Sequence, residues 1–269
     1  MQPLTCFPLK LAVASFLTVV SSLASAEKND VIVTDRPDFV ESADVVGKGR
    51  FQAEMSLAVD RTRHDAFKER NVSTPVLLRM GTGADWELRL ETDGLIVQHM
   101  NDLAQGNRTT NRGYGDVSVG AKWHLLDENG AAPAVAVLAH VDLDSGSSAF
   151  RGNGLRPSLR VVAEWDLPND MSLGIMPGIM RDRNAAGKRF MSGVFGVVIG
   201  KSLTEQTRAF VEIALPQIAR AENGGSIASL DIGLAHLLSD RCQIDTAIYK
   251  GLNRRTADLT WTIGLSTKF

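Results

Sequence analysis

Residues 258–269 read DLTWTIGLSTKF, and this stretch decides the fold. One parity carries Leu259, Trp261, Ile263, Leu265 and Phe269, and the other carries Asp258, Thr260, Thr262, Gly264, Ser266 and Lys268. Successive side chains of a strand point to opposite faces, so the stretch predicts a strand with one apolar and one polar face. By itself the pattern fits an edge strand of a soluble sheet as well as the closing strand of a membrane barrel.

The first 26 residues are typical of a signal peptide. Lys10 is their only side-chain cation, an uncharged apolar run covers 11–23, and residues 24–26 read ASA, which suits a cleavage site. The mature chain is therefore expected to begin at Glu27. Cys6 lies too far upstream to be a lipoprotein anchor and leaves with the leader, so Cys242 stands alone and no internal disulfide is expected.

Composition narrows the classes of partner. The 29 Lys and Arg nearly balance the 31 Asp and Glu, for a net charge of −2, so no basic footprint for nucleic acid is present. After the leader no run of ~20 apolar residues occurs, which argues against a membrane helix. A mean hydropathy of −0.04 does not argue against a barrel, because half of each barrel strand is polar.

Alternation of apolar and polar residues recurs along the whole remaining chain. Predicted strands cover 50–60, 72–80, 86–91, 114–126, 133–143, 155–167, 171–180, 189–201, 207–215, 226–238, 242–250 and 258–269. Most are long enough for a tilted strand to cross a bilayer. The connections 61–71, 92–113, 144–154, 181–188, 216–225 and 251–257 are longer and charged, whereas those between them are short. That alternation is typical of an outer-membrane barrel with both chain ends in the periplasm.

The predicted fold is therefore all-β: a transmembrane antiparallel up-and-down barrel of about twelve strands, preceded by a cleaved signal peptide. Its parts are a signal peptide (1–26), an irregular periplasmic or plug-like segment (27–49) and the barrel (50–269). The expected location is the outer membrane of a Gram-negative cell. Expected partners are outer-membrane lipid and the barrel-assembly machinery, with Phe269 resembling the insertion signal.

Tryptophans add to this prediction. Trp86, Trp123 and Trp165 fall on the apolar face near the short-turn end, and Trp261 falls toward the other end. This distribution predicts a partial aromatic girdle at the membrane interface. The alternative is that they are core residues of a soluble sandwich.

The polar parity is strongly charged, although parity alone cannot tell the inside of a barrel from the outside. The candidates for lining the lumen are Arg79, Glu87, Arg89, Glu91, Lys122, Arg160, Glu164, Arg208, Glu212 and Asp231. The same parity carries Glu54, Asp116, Asp142, Asp166, Asp245 and Lys268. Mixed signs in a narrow interior predict cross-strand ion pairs. They fit either a polar path that selects solutes or a packed electrostatic core.

Asp35, Arg36 and Asp38 precede the first strand and are candidates for a plug. The segment would enter the barrel and pair with charges of the lumen. A disordered lead-in on the periplasmic side is the alternative.

Catalytic and metal sites are not predicted, and no cofactor is expected. His140 and Asp142 share a face with His124, but the strand reads His-Val-Asp, without the serine of the His-x-Ser strand in the outer-membrane phospholipase. The 5 histidines and the cysteine lack metal-ligand spacing. Residues 113–115, reading GYG, lead into a strand rather than a helix, so they do not form a phosphate loop.

Several short motifs resemble one family of proteins, labelled transporter or Putative MetA-pathway of phenol degradation. Residues 35–42 read DRPDFVES, 113–122 read GYGDVSVGAK, 162–165 read VAEW and 202–205 read SLTE. The second of these is similar to the family's G-x-G-D-x-S-x-G-x-K strand, and the resemblance runs from Thr34 to Phe269. It implies an outer-membrane barrel that passes small solutes, hydrophobic or aromatic ones included, and it supplies no catalytic residues.

Two other functions stay open at this point. The barrel could be closed, and could act structurally or adhesively through loops such as 92–113 and 145–154. It could also be an enzyme acting on lipid or peptide, although the sequence offers no nucleophile in a suitable setting.

Overall fold

A computed structural model describes residues 31–64, 66–184 and 186–269. The predicted signal peptide, 1–26, and residues 27–30 lie outside the described residues. In chain order the strands are β1 (Phe51–Arg63), β2 (Phe67–Ser73), β3 (Val76–Gly81), β4 (Trp86–Thr92), β5 (Leu95–Asp102), β6 (Arg108–Tyr114), β7 (Val117–Leu126), β8 (Ala134–Asp142), β9 (Arg156–Leu167), β10 (Met171–Arg183), β11 (Arg189–Ser202), β12 (Thr207–Ile218), β13 (Ile227–Ser239), β14 (Cys242–Gly251) and β15 (Leu259–Lys268). A single 3-10 turn, Ala221–Asn223, is also described. The described part of the chain contains no helix that is both long and apolar enough to span a bilayer.

The strands form one closed antiparallel sheet. β15 pairs with β1 from Gln52 opposite Lys268 to Arg61 opposite Leu259, which joins the two ends of the sheet. Three strands are interrupted at neighbouring points, so β2 and β3, β4 and β5, and β6 and β7 each form one barrel strand. The predicted barrel of twelve strands is confirmed.

The three interruptions lie side by side in the wall. They fall at residues 74–75, 93–94 and 115–116. Pro75 cannot donate to a ladder, and Gly94 has a φ of +64°, a conformation that favours glycine. The amide of Thr74 still donates to the carbonyl of Asp93 (3.1 Å), and that of Gly115 to the carbonyl of Gly94 (3.0 Å). The wall is thus irregular but hydrogen-bonded at this level.

The apolar face of the sheet is its outside. Exposed side chains include Met55, Leu57, Leu88, Leu90, Val119, Leu159, Val211, Ile232, Ile248, Ile263 and Leu265. Fully buried ones include Gln52, Glu54, Arg79, Glu87, Lys122, Glu212 and Asp231. This arrangement is inverted relative to a soluble barrel and requires an apolar surrounding. It settles which parity faces the lumen.

Aromatic side chains contribute to the outer surface at both ends of the apolar belt. Trp86 and Trp123 are paired across β4 and β7, and their rings stack with centroids 4.9 Å apart. Trp261 lies opposite Val59 on β1, toward the end that carries the long connections. Because outer-membrane barrels carry their longer loops outside the cell, we refer to that end as the extracellular end.

Two predicted connections are wrong. Residues 61–71 and 92–113 are largely strand, because β1 reaches Arg63, β2 begins at Phe67, and β5 and β6 form a further hairpin. Together they make a four-stranded extension in the order β1-β2-β5-β6 at the extracellular end. The parts of these strands that lie furthest from the membrane have no apolar face. The alternation of apolar and polar residues that identifies a strand in the sequence is therefore missing there.

Candidate functional site

Residues 31–49 run through the interior of the barrel. Asp35 contacts Lys122 on β7 (2.9 Å), Asp38 contacts Arg208 on β12 (2.8 Å), and Arg36 contacts Asp245 on β14 (3.3 Å). These partners lie on well-separated strands of the wall and all point inward. We call residues 31–49 the lumen segment.

Asp35 is the centre of the largest charge cluster. Its carboxylate lies 2.6 Å from Arg89, 2.9 Å from Lys122 and 3.4 Å from Arg79, and all four groups are buried. Burial acts to raise the pKa of Asp35, but the charges of Arg79, Lys122 and Arg89 outweigh burial and lower that pKa well below its ordinary value. The carboxylate is therefore ionised and fully paired.

The wall surrounds this cluster with further ion pairs. Arg79 binds Glu87 (2.9 Å) and Glu54 (3.1 Å), and Arg89 binds Glu87 (2.8 Å) and Glu91 (3.1 Å). Alternating signs satisfy charges that would be costly to bury alone. The predicted cross-strand ion pairs are thus present, and the lumen segment completes them.

Carboxylates of the wall also accept hydrogen bonds from the backbone of the lumen segment. Glu212 accepts from the amides of Phe39 (2.8 Å) and Val40 (2.7 Å). Glu54 accepts from the amides of Asp35 and Arg36 (3.1 and 3.2 Å), Glu164 from Ala43 (2.6 Å) and Glu87 from Val46 (2.9 Å). A segment without a sheet partner must find other acceptors for its buried amides, and inward carboxylates supply them.

An apolar contact fixes the middle of the segment. Val40 and Ala43 pack in a buried cluster with residues of β8 to β12 and β14: Ala136, Leu138, Val162, Met176, Val198, Phe210 and Ala247. Gly174 and Gly196 make room for Val40, because a Cβ atom on either would lie 3.1 or 2.6 Å from a Val40 methyl group. The inner surface of the barrel therefore complements the lumen segment in shape around Val40 as well as in charge.

All ten predicted lumen-lining residues lie on the inward face. Arg79, Glu87, Arg89, Lys122, Glu212 and Asp231 are buried, and Glu91, Arg160, Glu164 and Arg208 are half-buried. The three predicted plug residues, Asp35, Arg36 and Asp38, are all ion-paired to the wall. Their roles as lining and plug stay predictions.

Sequence reasoning missed the part played by Glu41. Glu41 pairs with both Arg89 (2.8 Å) and Arg160 (2.9 Å) but was not among the predicted plug residues. Its position three residues after Asp38, in the same charged run, was the available signal. Asp231, in contrast, is buried without a described hydrogen-bond partner for either oxygen, beside Glu212 on the next strand.

Open space remains on both sides of the lumen segment. A cavity of about 480 Å³ at the short-turn end is lined by Asp38, Asp44, His124, Glu164 and Arg208, among others. A second, of about 310 Å³, is lined by Arg36, Glu54, Glu91, Asp116 and Arg156, among others. The second also meets residues beside the three wall interruptions. The segment thus contributes to the lining of both cavities.

Residues considered for catalysis have other partners. His140 lies 3.0 Å from Glu91, and Asp142 lies 3.4 Å from Arg156. A group of three or more metal-ligating side chains that could hold an ion does not occur among the described residues.

Comparison with known proteins gives a family and a fold. A family model described as Putative MetA-pathway of phenol degradation matches residues 34–269. The COG4313 outer membrane channel from Pseudomonas putida F1 superposes with a TM-score of 0.60 at 11% identity, over 87% of this chain and 99% of that one. The NanC porin (TM-score 0.53, 13% identity, 81% and 100% covered) and the beta domain of the Bordetella autotransporter BrkA (0.53, 13%, 82% and 99%) share the barrel. No curated protein matches in sequence.

The barrel fold and its apolar exterior together show in which membrane the chain lies. Closed antiparallel barrels with an outward apolar band are the spanning structures of outer membranes. The protein is an outer-membrane barrel, as the sequence predicted.

Proposed function

The chain belongs to the family described as Putative MetA-pathway of phenol degradation, and on that premise we propose that it passes small solutes across the outer membrane, with the lumen segment acting as a plug. The observation that carries this proposal is the set of contacts between residues 35–46 and inward side chains around the barrel. The proposed division of the mature chain is a plug up to residue 49 and a barrel over 50–269.

Polar attachment of the segment supports a plug that can move. Most of its contacts are ion pairs and hydrogen bonds to carboxylates, which water can replace when the segment leaves its place. Apolar packing is confined to a short stretch around Val40. A strand paired into the sheet would be far harder to displace, because its backbone bonds form a cooperative ladder.

The description of the family supports a class of solute, and the outer membrane channel of similar fold supports passage through the barrel. A family described by phenol degradation points to small aromatic compounds, and one neighbour is titled an outer membrane channel. The cavity at the short-turn end is large enough for one such molecule, with apolar side chains (Ile32, Val40, Val198) beside polar ones. We therefore propose small aromatic solutes, entering and leaving through the two cavities.

Planar-bilayer conductance tests the plug directly. We expect the refolded mature chain to show low conductance and a variant lacking residues 27–42 to show clearly larger, ohmic steps. The deletion removes the contacts of Asp35, Arg36, Asp38 and Glu41 but leaves the strands intact. Unchanged conductance in a variant that heat-modifiable gel migration shows to be folded would remove the plug from the proposal.

Solute specificity needs a second measurement. Adding phenol to one side of the bilayer should reduce the ionic current of the deletion variant more than glycerol at the same concentration does. Equal effects of the two compounds would leave a general pore. Absence of conductance in both the mature chain and the deletion variant would favour a closed structural barrel instead.

A further inference from the structure

The four-stranded extension carries a set of basic side chains on its outer face. Six of them, Arg61, Arg63, Lys68, Arg70, Arg108 and Arg112, are all exposed, and we call them the basic patch. The opposite face of the extension is neutral or acidic: Asn71 and Gln98 both donate to Glu69, and Asn111 donates to Gln98. The two faces are therefore chemically distinct.

Like charges face each other within the patch. In the register of β1 and β2, Arg61 lies directly opposite Arg70, and Arg63 lies directly opposite Lys68. Like charges in directly opposed positions destabilise a strand pair unless a counter-ion separates them. Among the described residues, the ion pairs of the arginines and lysines involve Arg36, Arg79, Arg89, Lys122, Arg151, Arg156, Arg160, Lys201 and Arg208, and none of the six. The patch therefore offers several neighbouring cations to an anionic ligand.

An open groove lies beside the patch. A groove of about 420 Å³ is lined by Arg61, Arg63, Lys68, Arg70 and His99, with Thr62, Glu69, Asn101 and Asp258 beside them. The carboxylate of Asp258 is engaged by the backbone amide of Arg63 at 2.6 Å. Guanidinium groups around such a groove can bind phosphate oxygens in pairs.

Immediately toward the membrane the same face becomes apolar. Val59, Val72 and Val97 form the next row across β1, β2 and β5, with Arg112 of the basic patch at its end on β6. Trp261 lies opposite Val59 on β15. Tryptophan favours the membrane–water interface, so this row marks the edge of the bilayer. A ligand bound at the patch would therefore have its charged part in the groove and any acyl chains against the belt.

We propose that the basic patch binds the phosphorylated sugar headgroup of a glycolipid in the outer leaflet of the outer membrane. The charge of the patch complements phosphate, the groove lies at the extracellular end, and the apolar row continues the site into the bilayer. A soluble anion would make no use of that row. The inference is independent of whether solutes pass through the lumen.

Binding of lipid A to the detergent-solubilised barrel, followed by native mass spectrometry and titration, tests this inference. The patch variant carries Arg61→Gln, Lys68→Gln and Arg70→Gln. A matched control carries Lys188→Gln, Arg189→Gln and Arg220→Gln, which remove the same charge from exposed positions on β11 and in the connections around it, away from the basic patch. Heat-modifiable gel migration verifies that both variants are folded.

We expect diphosphorylated lipid A to bind the wild type and the control equally. Each basic residue close to an anionic surface is worth about fivefold in affinity, so the patch variant should bind roughly a hundredfold more weakly. Lipid A without phosphates should bind poorly to all three proteins. Equal weakening in the patch and control variants, or displacement of the lipid by inorganic phosphate alone, would overturn the proposal.

Discussion

The Nη1 atom of Arg89 lies 2.6 Å from the Oδ2 atom of Asp35, although the residues are 54 positions apart in sequence. Both side chains are buried in the lumen, where Lys122 and Arg79 also approach the same carboxylate. A buried ion pair adds little net stability compared with apolar residues, but its geometry is demanding. The contact therefore fixes the position of the lumen segment more than it stabilises the barrel.

Replacement of Asp35 should release the segment. Asp35→Asn leaves three cations without their shared carboxylate, and breaking a buried pair from one side costs about 3–5 kcal/mol. We expect higher bilayer conductance and faster proteolysis of the segment in the folded barrel. Asp44→Asn is the control, because it makes the same change at an exposed side chain of the same segment. Equal behaviour of the two variants would argue against the role assigned to Asp35.

Acid should weaken the same contact. Because charges around it lower the pKa of Asp35 below its ordinary value of 3.8, its ionised form contributes stability above that value and loses the contribution as the pH falls through the lowered pKa. The conductance difference between the wild type and Asp35→Asn should therefore be full at neutral pH and shrink below about pH 4. A difference that grows toward acid pH would contradict the assigned direction.

Changing the sizes of two side chains tests the apolar contact between Gly196 and Val40. A Cβ atom on Gly196 would lie 2.6 Å from a Val40 methyl carbon, and overpacking of this kind costs about 1–3 kcal/mol. Gly196→Ala should therefore raise conductance. Val40→Ala in the same chain removes the shorter contact and should lower the conductance again, with the Phe39 ring at 3.0 Å as the close contact that is left. Gly193→Ala is the control, because Gly193 lies on the other face of β11. A Cβ atom added there would lie 3.3 Å from its nearest neighbour, the Cβ atom of Ile218. If Val40→Ala left the conductance of the Gly196→Ala variant unchanged, the contact between Gly196 and Val40 would not hold the segment in place.

The barrel could be predicted from the alternation of apolar and polar residues, because the two-residue repeat of a strand is visible in the local sequence. Leu88 and Arg89 could be placed on opposite faces from sequence alone, yet which face was outside required the closed structure. The extension beyond the membrane was missed since both of its faces meet water. Around Lys68, for example, no apolar residue alternates with the charges, and only the pairing with β1 and β5 reveals a strand.

The contents of the lumen were predictable in kind but not in detail. Charged residues before the first strand suggested a plug, and the inward parity suggested ion pairs. The partners of Arg36 and Asp38 lie 209 and 170 positions away, so no local pattern could match them. Nor could composition indicate that Glu212 would accept backbone amides, because that depends on the path of the segment inside the barrel.

The tryptophan pair on the outer surface should contribute to barrel stability. Trp86 and Trp123 stack with 9° between their ring planes. Such pairs are worth about 0.5–1.5 kcal/mol beyond the area that they bury. A double-mutant cycle with Trp86→Ala and Trp123→Ala, measured by urea unfolding from lipid vesicles, should give a coupling free energy in that range. Strictly additive effects would mean that the rings act only as separate interface anchors.

Phe269 combines a structural contact with its predicted role as an insertion signal. Its amide donates to the carbonyl of Phe51 (2.8 Å), and the two rings lie 6.2 Å apart where β15 closes on β1. Phe269→Ala keeps the backbone bond, so purified protein should refold in detergent with only modest loss of stability. In cells, by contrast, we expect far less folded barrel in the outer membrane. Phe51→Ala is the matched control, because it removes the other ring without altering the chain end. If both variants lost the same amount of folded barrel in cells, Phe269 would act only through its packing against Phe51.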